Sequence, residues 1–267
     1  MSAANPKTVL ITGASSGIGL ELAKCFAADG CKLILVARNK EALEKLAEEF
    51  RRKNKIEAIV LAADLSLTET PKRIFQELST QKISVDVLVN NAGFGLHDEF
   101  MKLSLQRQLE IIQVNVTALT ELAGLFLPGM IQRNCGGILN VASVAGFLPG
   151  PNMAVYYASK AFVLSFTEAL AEELGATGVT VSAFCPGATE TNFSQVARGG
   201  KSRKTKTFKM SAEQAARYGH QAFRKNQVVA IPGFQNRFLV FLARILPRRT
   251  VRKAVHLFNK LDESLAK

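Results

Sequence analysis

The chain of 267 residues is long enough for one large α/β domain or two smaller domains. Apolar residues make up 48% and charged residues 21%, with an ordinary 19 Gly and 8 Pro, which excludes disordered, collagen-like and low-complexity classes. The net charge of +12 is concentrated: residues 191–260 carry 16 of the 34 Lys and Arg against one acidic residue, Glu213, so that segment is +15 and the remainder is −3. A basic balance points to a nucleic acid or a membrane surface, and here only the last quarter of the chain carries it.

Residues 7–12 (KTVLIT) form a short apolar, β-branched run closed by Gly13, which reads as a strand. Residues 17–29 then place Ile18, Leu22 and Phe26 at helical spacing. A second continuous apolar strand is expected over 31–37. A charged amphipathic helix follows over 40–53, with Leu43, Leu46, Ala47 and Phe50 facing inward. The third strand covers 56–62, a helix begins near Thr68, and the fourth strand, 86–90, runs into NNAG. Two long helices are expected over roughly 101–113 and 115–133, a fifth strand over 137–142, a helix over 154–175 and a sixth strand over 179–184.

Strands that are apolar throughout and alternate with helices form a parallel sheet covered on both faces. The expected architecture is therefore doubly wound α/β in a single domain. Residues 187–210, rich in Gly, Ser, Thr and Lys, are the main irregular stretch. They follow the sixth strand on the side where open α/β sheets bind ligands, so a lid or substrate loop is expected there. The catalytic body is assigned to 1–233 and a basic, helical extension of the same domain to 234–267.

The four cysteines, Cys25, Cys31, Cys135 and Cys185, form no CxxC pair and have no His at metal-ligand spacing. They read as buried free thiols, and no metal site is expected. The opening residues contain no apolar core of a secretion signal. No stretch approaches the roughly 18 uncharged apolar residues of a membrane span. These features place the chain in the cytoplasm. His97, His220 and His256 are not arranged with a GxSxG serine and read as surface or core residues, His97 lying nearest the expected cleft.

The turn after the first strand reads Thr12-Gly13-Ala14-Ser15-Ser16-Gly17-Ile18-Gly19. Glycines let a backbone approach a ligand closely, and the helix N-terminus beyond offers free N–H groups and a positive dipole end. A pyrophosphate fits there, with Gly13, Ser15, Ser16, Gly17, Ile18 and Gly19 as candidate contacts. Further along, Tyr156 and Lys160 are four apart and share one helix face. A free tyrosine has a pKa near 10, and an adjacent ammonium favours the phenolate, so this spacing suits proton transfer near neutrality. Tyr157 is only three residues before Lys160 and does not match.

TGASSGIG at 12–19, Asp64 after strand three, NNAG at 90–93, Asn115, Ser143, Tyr156 with Lys160, and Pro186-Gly187 with Thr191 occur in the order found in the short-chain dehydrogenase/reductase family. The resemblance covers residues 7–191. It implies a Rossmann-type sheet of about seven strands, the seventh being 227–231 (QVVAI), and an oxidoreductase that moves a hydride between a nicotinamide and a carbonyl or secondary alcohol. It also implies that Tyr156 protonates the substrate oxygen while Ser143 hydrogen-bonds it. Lys160 would hold the ribose, and Asn115 would support a water linking Lys160 to solvent. Asp64 and Leu65 would contact the adenine; Asn91, Ala92 and Gly93 the adjacent ribose and backbone. Thr189 and Thr191 would bracket the nicotinamide amide, and Pro186 and Gly187 are further cofactor-binding candidates.

NAD sites place a carboxylate at the end of strand two, whereas an Arg accommodates a 2′-phosphate. Here that strand ends Val36-Ala37-Arg38-Asn39-Lys40, so NADP(H) is the expected cofactor, with Arg38 its determinant. Phe94, Leu96, Phe147, Leu148, Met153 and Phe193 stand next to motif residues and point to an apolar carbonyl or alcohol, with an acyl-carrier substrate equally open. A nucleotide-binding protein of this fold with little turnover, held at membrane surfaces, is the alternative. Family members commonly pair through the helices that here cover 115–133 and 154–175, which implies a homodimer or homotetramer. Leu119, Leu122, Phe126, Phe162, Phe166 and Leu170 are the candidate face.

The basic C-terminal segment has two readings. Residues 236–246 place Phe238, Phe241, Leu242, Ile245 and Leu246 at helical spacing; residues 248–260 place Val251, Val255 and Phe258 on one face with Arg and Lys opposite. Such helices either lie on an anionic membrane through 234–260 or close the cleft with their apolar face. Regularly interleaved aromatics are missing, which disfavours nucleic acid.

Overall fold

The computed structural model describes residues 6–191, 193, 197 and 210–264. Seven parallel strands form one sheet in the order β3-β2-β1-β4-β5-β6-β9. They are β1 Thr8–Thr12, β2 Lys32–Ala37, β3 Ala58–Ala62, β4 Val87–Asn90, β5 Gly136–Val141, β6 Val179–Phe184 and β9 Val229–Ala230. Helices cover both faces: α1 Gly17–Ala28, α2 Lys40–Lys53, α3 Thr70–Thr80, α4 Leu105–Ile112, α5 Ala118–Gln132, α6 Ala154–Glu173 and α7 Ala212–Arg224. The fold is therefore a Rossmann-type doubly wound α/β domain, as the strand and helix alternation requires.

Side chains in a strand alternate between the two faces, and the core follows that period. Val9 and Ile11 of β1 pack with Leu22 and Phe26 of α1 and Phe223 of α7. Leu10, between them, packs toward Ile74 and Leu78 of α3 and Leu122 and Phe126 of α5. Because both faces are covered, every β1 residue from Val9 to Thr12 is buried, which is why the strand reads as a continuous apolar run.

The chain winds from β1 through β2 to β3 on one side, then returns to β4 on the other side of β1. Thr12 ties the two strand ends together at this switch point. Its hydroxyl donates to the Val89 carbonyl (3.2 Å) and accepts from the Asn91 and Ala92 N–H groups, both at 3.0 Å.

Several expected elements are corrected. The two long helices meet end to end through a π turn, Gln113–Thr117, giving one 28-residue helical run, Leu105–Gln132, long and apolar enough to cross a membrane. Its residues Ala118, Leu122, Phe126 and Met130 pack on the sheet instead, as a core helix. The first expected helix residues, from 101, form a separate 3₁₀ turn, Phe100–Lys102. The seventh strand is two residues, not five. α7 is an element the periodicity reading passed over; its start is marked by a capping box, with Ser211 accepting from the Gln214 N–H at 3.1 Å. In the irregular stretch, β7 Thr189–Glu190 pairs with β8 Met210–Ser211, and most of the residues between lie outside the described set. Among the cysteines, Cys31 and Cys185 are buried, Cys25 is half-buried and Cys135 is exposed; all four are free.

Two further helices, α8 Phe234–Ile245 and α9 Arg248–Ser264, follow β9. They rest on the main body through a few contacts. A Cβ on Gly187 would lie 2.4 Å from Asn236 Oδ1, so α8 sits directly on the loop after β6. Asn259 of α9 donates to the Pro151 carbonyl at 2.6 Å.

Candidate active site

The glycine turn sits at the carboxyl end of β1. Gly13 and Gly17 have φ of +66° and +58°, the left-handed region that a side chain resists. Gly19 answers a different need: a Cβ there would lie 2.3 Å from both the Asn91 amide nitrogen and the Gly13 carbonyl oxygen. The glycines therefore let the turn pack directly against Asn91 and Thr191 at the head of α1. Ser16 is exposed at the N-cap of α1 without a side-chain cap bond, and no acidic residue occupies the first turn. This cradle fits the pyrophosphate of a dinucleotide: its N–H groups and dipole end favour an anion. Thr191 closes the far side, 3.2 Å from where a Gly17 Cβ would lie.

Arg38 is exposed at the end of β2 and has no ion pair with a described carboxylate. Asn39 beside it is occupied as the cap of α2, accepting from the Ala42 N–H at 2.9 Å. Burial raises the Asp64 pKa, but the Ser66 N–H bond at 2.9 Å, the Ser66 hydroxyl and the charge of Arg38 outweigh it and hold the carboxyl below its ordinary value. The Leu65 side chain is buried in the core with Ile74 and Leu78, so an adenine contact there falls to its backbone.

At the carboxyl ends of β4, β5 and β6, the remaining candidates converge. Ser143 caps a 3₁₀ turn, Val144–Phe147; its hydroxyl accepts from the Ala145 N–H at 3.1 Å and donates to the Pro186 carbonyl at 3.3 Å. Lys160 is 5% exposed, and its ammonium donates to the Val141 carbonyl at 2.7 Å. It stands 6.0 Å from the centroid of the Tyr156 ring. Gly93 brings the NNAG turn to the same place: a Cβ there would lie 3.0 Å from Asn115 Oδ1 and 3.4 Å from Lys160 Nζ. Burial pushes the Lys160 pKa down to about 8, with no carboxylate to oppose it.

The expected lowering of the Tyr156 pKa by Lys160 is not what this arrangement delivers. Burial raises the phenol above its ordinary range, the Ser143 hydroxyl acts in the opposite direction, and Tyr157 adds to the rise. Tyr156 therefore keeps its proton throughout the neutral range. Tyr157 packs its ring against Gly150, away from this role.

Asn115 is 1% exposed in the π turn, and its side-chain amide bonds to protein groups. Oδ1 accepts from the Phe94 N–H (3.1 Å), and Nδ2 donates to the Phe94 carbonyl (3.0 Å) and to Ser159 Oγ (2.9 Å). The side chain clamps the NNAG–Phe94 segment to α6, beside Lys160. Ser159, which passes the contact on to the Tyr156 carbonyl at 2.7 Å, carried no motif signal. A second buried chain, Asn90–Asn140–Thr167, likewise became visible only once β4, β5 and α6 were side by side, with bonds of 2.9 Å at each link.

A cavity of about 190 Å³ lies beside Tyr156, walled by Leu96, Phe100, Leu103, Ile111, Pro151 and Met153, with Asp98 and Gln108 as polar members. Leu96 and Met153 were expected there. Phe94 and Phe147 instead lie under the guanidinium groups of Arg107 and Arg244, at 5.0 and 5.9 Å from their ring centroids. Phe193 stacks obliquely on Tyr156, ring centroids 5.1 Å apart. His220 is structural, its ring nitrogen 2.9 Å from Asp29 between α1 and α7. Pro186 and Gly187 form the floor under Ser143 and α8, and Thr189 closes a local turn on the Gly187 carbonyl at 3.0 Å.

Residues 7–201 match the family model described as short chain dehydrogenase. A ketoacyl reductase, HetN, from Nostoc sp. is 35% identical over 187 residues, covering 70% of this chain and 65% of its own length, so the match spans just under two thirds of that relative. A very-long-chain 3-oxoacyl-CoA reductase from Rattus norvegicus is 32% identical over 263 residues, covering 94% of this chain and 79% of the relative. The solved structure of a short-chain dehydrogenase from Sphingobium yanoikuyae in complex with NADPH is 36% identical with a TM-score of 0.80, covering 85% of this chain and 88% of that one. One from Burkholderia phymatum in complex with NAD is 27% identical with a TM-score of 0.78, covering 91% and 94%. The cradle at the β1–β4 switch point thus belongs to a fold that carries nicotinamide dinucleotides of both kinds. The chain belongs to the short chain dehydrogenase family and is an oxidoreductase that works with a nicotinamide cofactor.

Proposed function

We propose that the chain is an NADP(H)-dependent carbonyl reductase for an apolar ketone or 3-oxoacyl substrate. The observation that carries this reading is the convergence of Ser143, Tyr156 and Lys160 beside an apolar cavity of about 190 Å³. The Arg38 side chain, exposed and without an ion pair among the described residues where an NAD site would hold a carboxylate, supports the 2′-phosphate. The ketoacyl and 3-oxoacyl-CoA reductases among its relatives support the substrate class.

The residues present fit the cofactor as described above: the glycine turn for the pyrophosphate, Arg38 for the 2′-phosphate, Lys160 and the NNAG turn for the ribose. When bound, the reduced nicotinamide supplies the hydride. Tyr156, protonated at neutral pH, donates a hydrogen bond to the substrate carbonyl oxygen and then gives it the proton. Ser143 supplies the second bond to that oxygen; its 3.3 Å donation to Pro186 is long and easily exchanged. Lys160, charged below about pH 8, stabilises the phenolate left on Tyr156. Asn115 positions Phe94 and, through Ser159, the backbone of Tyr156.

The test is a panel of aliphatic, cyclic and 3-oxoacyl carbonyls, read by NADPH absorbance with NADH in parallel. Reduction of the apolar members with NADPH is expected. Arg38→Ala should weaken NADPH binding by about 10- to 100-fold, the worth of charge-assisted bonds to a phosphate, and leave NADH nearly unchanged. Equal affinity of the wild type for both cofactors would remove the Arg38 argument.

A further inference from the structure

We propose that α8 and α9 form a docking surface for an anionic lipid bilayer. If the apolar side of these helices closed the cleft, that side would be buried. The opposite is found for α8. α8 buries Val240 and leaves Phe234, Phe238, Phe241 and Ile245 exposed at 81%, 50%, 55% and 59%. Their spacing of four, three and four residues makes one stripe along the helix, and Phe234 and Phe238 stack their rings. α9 turns Val251, Val255 and Asn259 inward, so Phe258, expected beside the two valines, points out instead, 51% exposed.

Charge selects the occupant. Residues 234–260 contain seven Lys and Arg and no acidic residue. All seven are exposed, and none pairs with a described carboxylate. A second copy of this chain would bring the same seven cations against them. Arg237 also donates to the Ile231 carbonyl and the Tyr218 hydroxyl. Exposed Phe and Ile side chains beside Arg244 of α8 and Arg248 at the start of α9 match a headgroup layer, where rings enter the acyl boundary and cations meet lipid phosphates.

The location gives the surface a use. α8 rests on Gly187, and α9 bonds to Pro151, which lines the cavity beside Tyr156. Docking would set the cleft beside the bilayer, so that an apolar carbonyl dissolved in lipid has a short path to it. That consequence rests on the function proposed above; the docking does not.

The experiment is co-sedimentation of the full chain with phosphatidylcholine vesicles and with vesicles containing phosphatidylglycerol, without substrate. Binding to the anionic vesicles is expected at about 0.01 M salt and its loss at about 1 M, where the screening length falls from roughly 30 to 3 Å. Phe238→Ser/Phe241→Ser, at exposed positions, should lower partitioning at least ten-fold while leaving reduction of a water-soluble carbonyl unchanged. Light scattering on both proteins completes the test. No binding at low salt, equal binding to both vesicle types, or equal binding by the variant would overturn the proposal. So would a variant that loses only self-association, which would assign the stripe to a second copy. Because the readout is sedimentation, a chain without turnover would still report on docking.

Discussion

Lys160 is a charge placed inside the protein with a carbonyl oxygen as its fixed partner and no carboxylate within the cluster. Its pKa is about 8 in the folded chain against 10.5 for an ordinary lysine. Below pH 8 both states carry the proton, and folding bears the full cost of burying the charge. Between pH 8 and 10.5 the unfolded chain binds more protons than the folded one, so stability rises with pH across that window. Lys160→Met removes the charge and keeps the volume. The cofactor-free variant should therefore be more stable than wild type at pH 7, by about 1–3 kcal/mol, and lose that advantage by pH 10.5. Urea unfolding at the two pH values measures this, and a less stable variant at pH 7 would contradict the burial argument. In turnover the same residue acts the other way: kcat/KM for reduction should be level below pH 8 and fall above it, as the cation that steadies the phenolate is lost. Tyr156→Phe should abolish reduction while nicotinamide binding, followed by fluorescence titration, stays within a few-fold. Tyr157→Phe, altering a ring packed on Gly150, should retain most activity.

At the scale of elements, the π turn Gln113–Thr117 does the positioning. One wider turn aims Asn115 between the NNAG–Phe94 segment and α6, where three bonds of 2.9 to 3.1 Å hold it. Asn115→Ala leaves the Phe94 N–H and carbonyl without their partner in a part-buried place, so about 1–3 kcal/mol of stability should be lost in denaturant unfolding. The loss of activity should exceed what the unfolded fraction explains, since Gly93 and Phe94 are released from the site. Nothing in QVNVT distinguishes a π turn from an α turn, because the choice depends on which partners Asn115 finds. α7 is the contrary case: its Ser211-x-x-Gln214 capping box was present in the chain, though apolar periodicity alone did not reveal it.

For the whole molecule, the face expected to meet a second copy is split. Leu119, Leu122 and Phe126 are buried in the protein's own core, Phe166 and Leu170 are half-buried and Phe162 is exposed. The exposed large apolar residues in this region are Leu105, Leu109 and Ile112 on α4, Ile131 on α5 and Phe162 on α6, 40–64% exposed. If the chain pairs through this face, Leu105→Lys/Leu109→Lys should yield a monomer by light scattering at micromolar concentration with its stability nearly unchanged. A wild type that is already monomeric would rule the pairing out.

What the amino-acid order determined by itself is local or repeated: six of the seven strands of the sheet to within two residues, the glycine turn, and the Tyr156–Lys160 spacing. Burial on both sheet faces leaves a continuous apolar run that any reader of the chain can see, and a left-handed turn leaves a glycine. The tertiary structure alone decided the rest. Whether the Leu65 side chain enters the core, which groups the Asn115 amide binds, and whether the phenol of Tyr156 is pulled down by Lys160 or pushed up by burial all depend on residues tens of positions apart. The same holds for the C-terminal helices. Their amphipathic pattern is legible, but which side is covered is settled by Gly187, Pro151 and the few contacts they make with α8 and α9, and those contacts left the phenylalanines outside.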